Sequence, residues 1–146
     1  MFNNKYGDEI QDYRVLIVEK EERVAEFFGT VLSLLGVKHS YFANDGLVAL
    51  RQIQKGLLTQ RKCPFDLLIV NNGMPGMSGM ELIGCLRQER ELRGMSIIVT
   101  TRESPEEILQ ECNRLEVCAL LRQPFDLENM CLIIYEAYLS SSQARV

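Results

Sequence analysis

A chain of 146 residues, 47% of them hydrophobic, is long enough to bury one ordinary core and too short to expect two. Twenty acidic against sixteen basic side chains give a net charge of -4, and with no basic stripe along any segment, nucleic acid is not an expected partner. No run approaches the roughly 18 apolar residues of a membrane span, and the start MFNNKYGDEIQDY is too polar and acidic for a signal peptide; a cytoplasmic protein without membrane contact is expected.

Residues 1–12 read as an N-terminal extension to a single domain over 13–140, with 141–146 as a flexible tail. YRVLIVE, Tyr13 to Glu19, is an unbroken apolar run rich in β-branched residues, the pattern of a central strand buried on both faces. Val24, Phe27, Phe28, Val31, Leu34 and Leu35 then recur at helical spacing, with Gly36 where a helix end favours positive φ. VKHSYFA alternates in part and predicts a strand nearer an edge. NDGLVALRQIQKGLL is a helix capped by Asn44 or Asp45, followed by a TQRKCP loop. FDLLIV is the third strand. SGMELIGCLRQERELRG is a helix whose Ser78 and Glu81 fit a reciprocal capping box. MSIIVTT is the fourth strand. SPEEILQECNRLE predicts a second capping box, with Ser104 as cap, Pro105 in the first turn and Glu107 three residues on. VCALLRQPF is a short fifth strand, and Asp126 caps LENMCLIIYEAYL, with an apolar stripe at Leu127, Met130, Ile133, Ile134 and Ala137.

Five strands alternating with five helices predict a three-layer α/β sandwich with a five-stranded parallel sheet, because each parallel connection needs a helical return. In such sheets sites form beyond the carboxyl ends of the strands. Here those ends are Glu19-Lys20, Asn71-Asn72-Gly73, Thr100-Thr101-Arg102 and Arg122-Gln123-Pro124. Cys63, Cys85, Cys112, Cys118 and Cys131 show no C-x-x-C and no histidine nearby, so they read as reduced, mostly buried thiols and not as zinc ligands. His39, the single histidine, reads as structural. Met74, Met77 and Met80 fit a loop packing over the sheet better than a soft-metal site.

VLIVEKEE, FDLLIVNNGMPGMSGMELI, IIVTT and LLRQPFD, in this order and spacing over about Arg14 to Leu139, resemble the CheY-like receiver domain of bacterial two-component response regulators. The resemblance implies the flavodoxin-like (βα)5 topology and a phosphorylation site, which this chain departs from at several positions. Where the family has two adjacent acids that hold magnesium, this chain has Glu19 and Lys20. Where the family has its phosphoacceptor aspartate, four residues before Pro75, it has Asn71. The switch hydroxyl corresponds to Thr101, the lysine before the proline to Gln123, and the aromatic switch position to Leu120. Thr101 taken alone also reads as an ordinary β-branched strand end.

Three carboxylates in one pocket need a divalent cation and a lysine to offset them, whereas Glu19, Lys20, Asn71 and Gln123 sum to no net charge. An amide is not the nucleophile that phosphoryl capture needs, and one carboxylate beside an ammonium is a poor magnesium site. The expectation is therefore a degenerate, phosphorylation-independent receiver-like module, not an enzyme, with no cofactor and no metal. Lys20 is expected to occupy the metal's place and donate to Glu19 and Asn71. Asn72-Gly73 suggests deamidation, but Asn72 is one residue past the acceptor position.

Function then passes to surfaces. The resemblance implies a dimer or output face from about Ser104 to Ser140, carrying Glu106, Glu107, Glu111, Arg114, Arg122 and Glu128, with unidentified protein partners and a homodimer through residues 104–140. The same charges also suit a plain solvated helix. The ending SSSQARV leaves two expectations, a single-domain regulator or the front piece of a longer protein. Two further classes stay open: a receiver that keeps phosphotransfer or magnesium binding through Glu19 with Glu21 or Glu22, and a flavodoxin-like cofactor enzyme. The latter needs a phosphate-cradling loop after the first strand, and EKEER has no glycine there.

Overall fold

The computed structural model describes residues 9–144, with side chains through Ser141; residues 1–8 of the expected extension and 145–146 of the expected tail lie outside the described residues. The apolar runs form five strands: β1 (Arg14–Val18), β2 (His39–Ala43), β3 (Leu67–Asn71), β4 (Ser96–Thr101) and β5 (Ala119–Arg122). Between and after them run α1 (Glu22–Leu35), α2 (Gly46–Gln60), α3 (Gly79–Arg87), α4 (Leu109–Arg114) and α5 (Leu127–Ala144). The sheet order is β2-β1-β3-β4-β5, and every neighbouring pair is parallel. This is the three-layer, five-stranded parallel sandwich expected from the alternation of strands and helices.

The burial pattern follows from that order. β3 and β4 are buried at every residue, as doubly covered strands require. The edge strand β2 is exposed at three of its five residues. One core cluster gathers Val15, Ile17, Leu67, Ile69 and Ile98 with α1 and α5. On the other face Leu16, Val18, Leu68, Val70, Ile97 and Val99 pack with residues of α2, α3 and α4. Successive strand residues thus feed opposite layers. Ile10, in a short 3-10 turn at Glu9–Asp12, is fully buried in the first cluster.

Several helix starts match the sequence patterns. Asp45 accepts from Val48 N at 2.8 Å, Asp126 accepts from Asn129 N at 2.9 Å, and Ser78 with Glu81 makes the full capping box. Gly36 takes φ 93 at the end of α1. The second predicted box does not form. The Ser104 hydroxyl bonds the Glu106 carboxylate, residues Pro105–Glu107 make a 3-10 turn, and α4 is confined to the six residues from Leu109. A serine hydroxyl captured by a neighbouring carboxylate is lost to the backbone amides it was expected to cap.

On α5 the predicted Met130, Ile134 and Ala137 are buried and Ile133 packs partly buried beside them, while Leu127, at the helix start, is 39% exposed and Cys131, one turn on, is buried. Of the five cysteines only Cys112 and Cys131 are buried, Cys63 is half-buried, and Cys85 and Cys118 are exposed. None of the five is in a disulfide, but "mostly buried" is corrected. His39 is on the exposed part of edge strand β2.

Candidate functional site

Because the strands are parallel, their carboxyl ends share one rim of the sheet, and the register sets Asn71 beside Thr100 and Thr101 beside Arg122. Glu19, directly after β1, completes the cluster. Glu19, Asn71 and Thr101 are each 5% exposed, so their polar atoms must find partners inside the protein.

They do so among themselves and with the loops. Asn71 Nδ2 donates to Glu19 Oε1 at 3.0 Å, and Asn71 Oδ1 accepts from Gly73 N at 2.8 Å. Only one orientation of the amide satisfies both contacts, since a carboxylate needs the NH2 end and a backbone N–H needs the oxygen. The second Glu19 oxygen accepts from Glu21 N at 3.0 Å. Thr101 Oγ1 accepts from Glu103 N at 3.1 Å, which holds the hydroxyl to its own loop. Asn72 serves α3: its Oδ1 accepts from Met80 N at 3.1 Å. A Cβ on Gly79 would lie 2.8 Å from Asn72 Cα and 2.9 Å from Asn71 O, so glycine is what lets the helix seat against the end of β3.

Lys20 departs from expectation. It is exposed, and among the described residues neither Glu19 nor Asn71 is bonded to it. The expected inward ammonium is corrected: the Asn71 amide supplies the donor to Glu19 at no desolvation cost of a charge, and Lys20 stays hydrated. Lys20, Asn71, Asn72, Gly73, Thr101, Arg102 and Glu103 line a shallow cavity of about 280 Å³. Arg102, which the sequence placed at a strand end without assigning it a role, is one of these lining residues. It pairs with the Glu21 carboxylate and donates from Nε to Gln123 Oε1 at 3.3 Å. Its only sequence signal is its position directly after the switch threonine. Gln123 Nε2 is buried without a hydrogen-bond partner among the described residues. Leu120 packs, partly buried, against the cluster beneath α2, α3 and α4.

The magnesium that the resemblance implies is a poor match for these donors. A hard cation wants several carboxylate oxygens converging on it, and at this rim Glu19 is set beside the amide of Asn71, whose Nδ2 donates to its Oε1. Glu21 is turned to Arg102, and Glu22, in the first turn of α1, lines a different cleft with Glu26 and Phe42. No group of three acids, histidines or cysteines placed to hold a metal occurs among the described residues.

The residues expected on the output face are dispersed over it. Glu106 and Glu107 lie exposed in the 3-10 turn, Glu111 pairs with Arg114 within α4, and Arg122 and Glu128 are exposed at the end of β5 and the start of α5. The segment 104–140 also carries half-exposed Leu109, Leu127, Leu132 and Leu139, which the charge pattern did not suggest. The methionines behave as loop packing, with Met74 buried and Met77 and Met80 against the core. Among the described residues no helix is long and apolar enough to cross a membrane.

A doubly wound sheet in the order β2-β1-β3-β4-β5, with Glu19, Asn71 and Thr101 gathered at its carboxyl rim, is the architecture of a receiver-type signalling domain. The chain belongs to the response regulator receiver domain family, whose model matches residues 15–135. It is 28% identical over 115 residues to chemotaxis protein CheY-3 of Vibrio cholerae, covering 79% of this chain and 83% of that one. The crystal structure of V. cholerae chemotaxis protein CheY4 superposes with a TM-score of 0.74 at 25% identity, covering 86% of this chain and 98% of that chain. A CheY-like receiver domain from Methanospirillum hungatei gives a TM-score of 0.78 at 20% identity, over 90% and 98% of the two chains, and attests the fold. Receiver domains are signalling modules that work with protein partners such as kinases and effectors, and this chain is such a module.

Proposed function

We propose that this chain is a degenerate receiver that signals through protein contacts without phosphorylation at residue 71. The observation that carries the reading is the Asn71 amide, engaged at both ends by Glu19 Oε1 at 3.0 Å and Gly73 N at 2.8 Å. Phosphoryl capture needs a free anionic oxygen at this position and a cation to offset charge on the donor. The position offers an amide, and the neighbouring carboxylate accepts one hydrogen bond at each oxygen, one of them from that amide. The switch hydroxyl is held as well, through Glu103 N. The site is thereby fixed in one hydrogen-bonded arrangement, and the regulated property becomes which surfaces it presents to partners. A cytoplasmic location and a homodimer through residues 104–140 belong to the same reading.

The test is mass spectrometry after incubation with acetyl phosphate and magnesium, paired with amide NMR in beryllofluoride. The expected result is no added phosphoryl mass and no saturable shift at Lys20, Asn71, Thr101 or Gln123. A phosphoryl adduct, on any residue of this rim, overturns the reading.

A further inference from the structure

Beside the rim, where α1 and α2 flank the end of edge strand β2, lies a cleft of about 600 Å³ lined by Glu19, Lys20, Glu22, Ala25, Glu26, Phe42, Ala43, Asn44 and Val48. Its chemistry is divided. Ala25, Phe42, Ala43 and Val48 supply an apolar floor, and three carboxylates face one ammonium.

Phe42 is 48% exposed on a strand whose outer side no other strand covers, yet it is not loose. The tip of its ring lies against α1, 3.3 Å from where a Cβ on Gly29 would sit, so a half-exposed aromatic ring is held at the cleft. Glu22 and Glu26 are one helical turn apart and both exposed, and among the described residues neither forms an ion pair. Like charges at that spacing repel mildly, and a cation placed between them relieves the repulsion. Glu19 adds negative charge from below, although each of its oxygens already accepts one hydrogen bond.

An aromatic face, a short aliphatic floor and paired carboxylates are the features that take a guanidinium on an apolar stem: the planar cation stacks on the ring, bonds a carboxylate by two parallel contacts, and lays its methylenes along the floor. Gln52 Nε2 donates to Phe42 O at 3.4 Å, so a backbone acceptor of the edge is already taken, and side-chain docking is favoured over addition of a strand. We infer that this cleft is a docking site for an arginine-bearing apolar segment of a protein partner. This inference rests on the reading that the chain works through protein partners, and not on the chemistry of residue 71.

The experiment is an amide NMR titration of the full chain with N-acetyl-leucyl-arginine amide, with the citrulline analogue, equal in shape but uncharged, as control. The phosphodonor assay above has its own readout, so either reading can fail alone. Saturable shifts at Ala25, Phe42, Ala43 and Val48 are expected for the arginine peptide, with citrulline binding at least about fivefold more weakly. Glu22→Gln and Glu26→Gln, both at exposed positions that leave the fold intact, are each expected to weaken binding about two- to fivefold, the range for an exposed ion pair. Equal binding of the two peptides, indifference to both substitutions, or no saturation at all overturns the inference. So does a dependence of these same resonances on protein concentration without peptide, which would mean that a second copy fills the cleft.

Discussion

Replacing Asn71 by aspartate restores the residue type that the resemblance implies at this position, and the geometry predicts that the restoration is costly. The substitution exchanges a donor 3.0 Å from Glu19 Oε1 for an anionic oxygen, with both side chains 5% exposed. Two full charges at that separation repel by about 5 kcal/mol at an effective dielectric of ~20. The protein has an escape, which is to keep one proton on the pair. Protonating a carboxyl of ordinary pKa, about 4, at pH 7 costs about 4 kcal/mol, and that sets the ceiling. The expected loss is therefore about 3–4 kcal/mol at pH 7 in EDTA. For a domain of this size that lowers Tm by roughly 10–15 °C.

The pH dependence has a definite sign. A carboxyl whose folded pKa is raised binds its proton more tightly when folded, so the deficit of Asn71→Asp is absent at about pH 4. It grows as pH rises from the unfolded pKa to the raised folded one. Asn71→Ala, which loses the hydrogen bonds without adding charge, should cost about 1–2 kcal/mol and show no such slope. Urea denaturation of the three proteins at pH 4.5 and pH 7 is the assay. If Asn71→Asp matches the parent within about 0.5 kcal/mol at pH 7, the amide is not what holds Glu19, and the reasoning about a locked rim fails.

Three other outcomes follow from the same structure. The double variant Lys20→Asp with Asn71→Asp rebuilds a three-carboxylate rim with Glu19; at 10 mM magnesium and a Kd near 1 mM it should gain about 1.4 kcal/mol, seen as a Tm rise absent in the parent. Arg87 donates to the carbonyls of Leu92, Arg93, Met95, Leu115 and Glu116, tying the ends of α3 and α4 together, so Arg87→Ala should lose about 3 kcal/mol in denaturant unfolding and Arg87→Lys should recover less than half of it. Burial pushes the Tyr13 hydroxyl up to about 12; its stabilising effect is complete below the unfolded value near 10, is lost as pH rises toward 12, and amounts to about 2–3 kcal/mol, to be checked by phenolate absorbance alongside stability from pH 9 to 12.

The fold was legible because its signals are local and repeated. An unbroken apolar run marks a doubly covered strand wherever it occurs, and Ser78 with Glu81 specifies a helix start through contacts three residues apart. The same logic failed at Ser104, where Glu106 is nearer to the hydroxyl than the amide it was expected to cap. A pattern names compatible partners but does not rank a carboxylate two residues away against a backbone N–H. The buried stripe of α5 begins at Met130 and Cys131 and not at Leu127, because Leu127 is the first residue of the helix and an apolar pattern does not tell how far the core reaches toward a helix end.

At the site, positions were legible and directions were not. Counting from Pro75 places Asn71 at the end of β3, and the register confirms it there opposite Thr100. Which way each polar group turns depends on a competition among desolvation costs that spacing does not encode. Lys20 and Asn71 were both candidate donors to Glu19. The amide wins because burying it removes a neutral dipole from water, whereas burying the ammonium removes a charge. Once Asn71 Nδ2 has taken Glu19, its oxygen is left facing the Gly73 amide, and Arg102 pairs with Glu21. Asn71, Glu19, Gly73 and the Arg102–Glu21 pair thus form one bonded rim beyond the ends of β1, β3 and β4, with Lys20 left outside it.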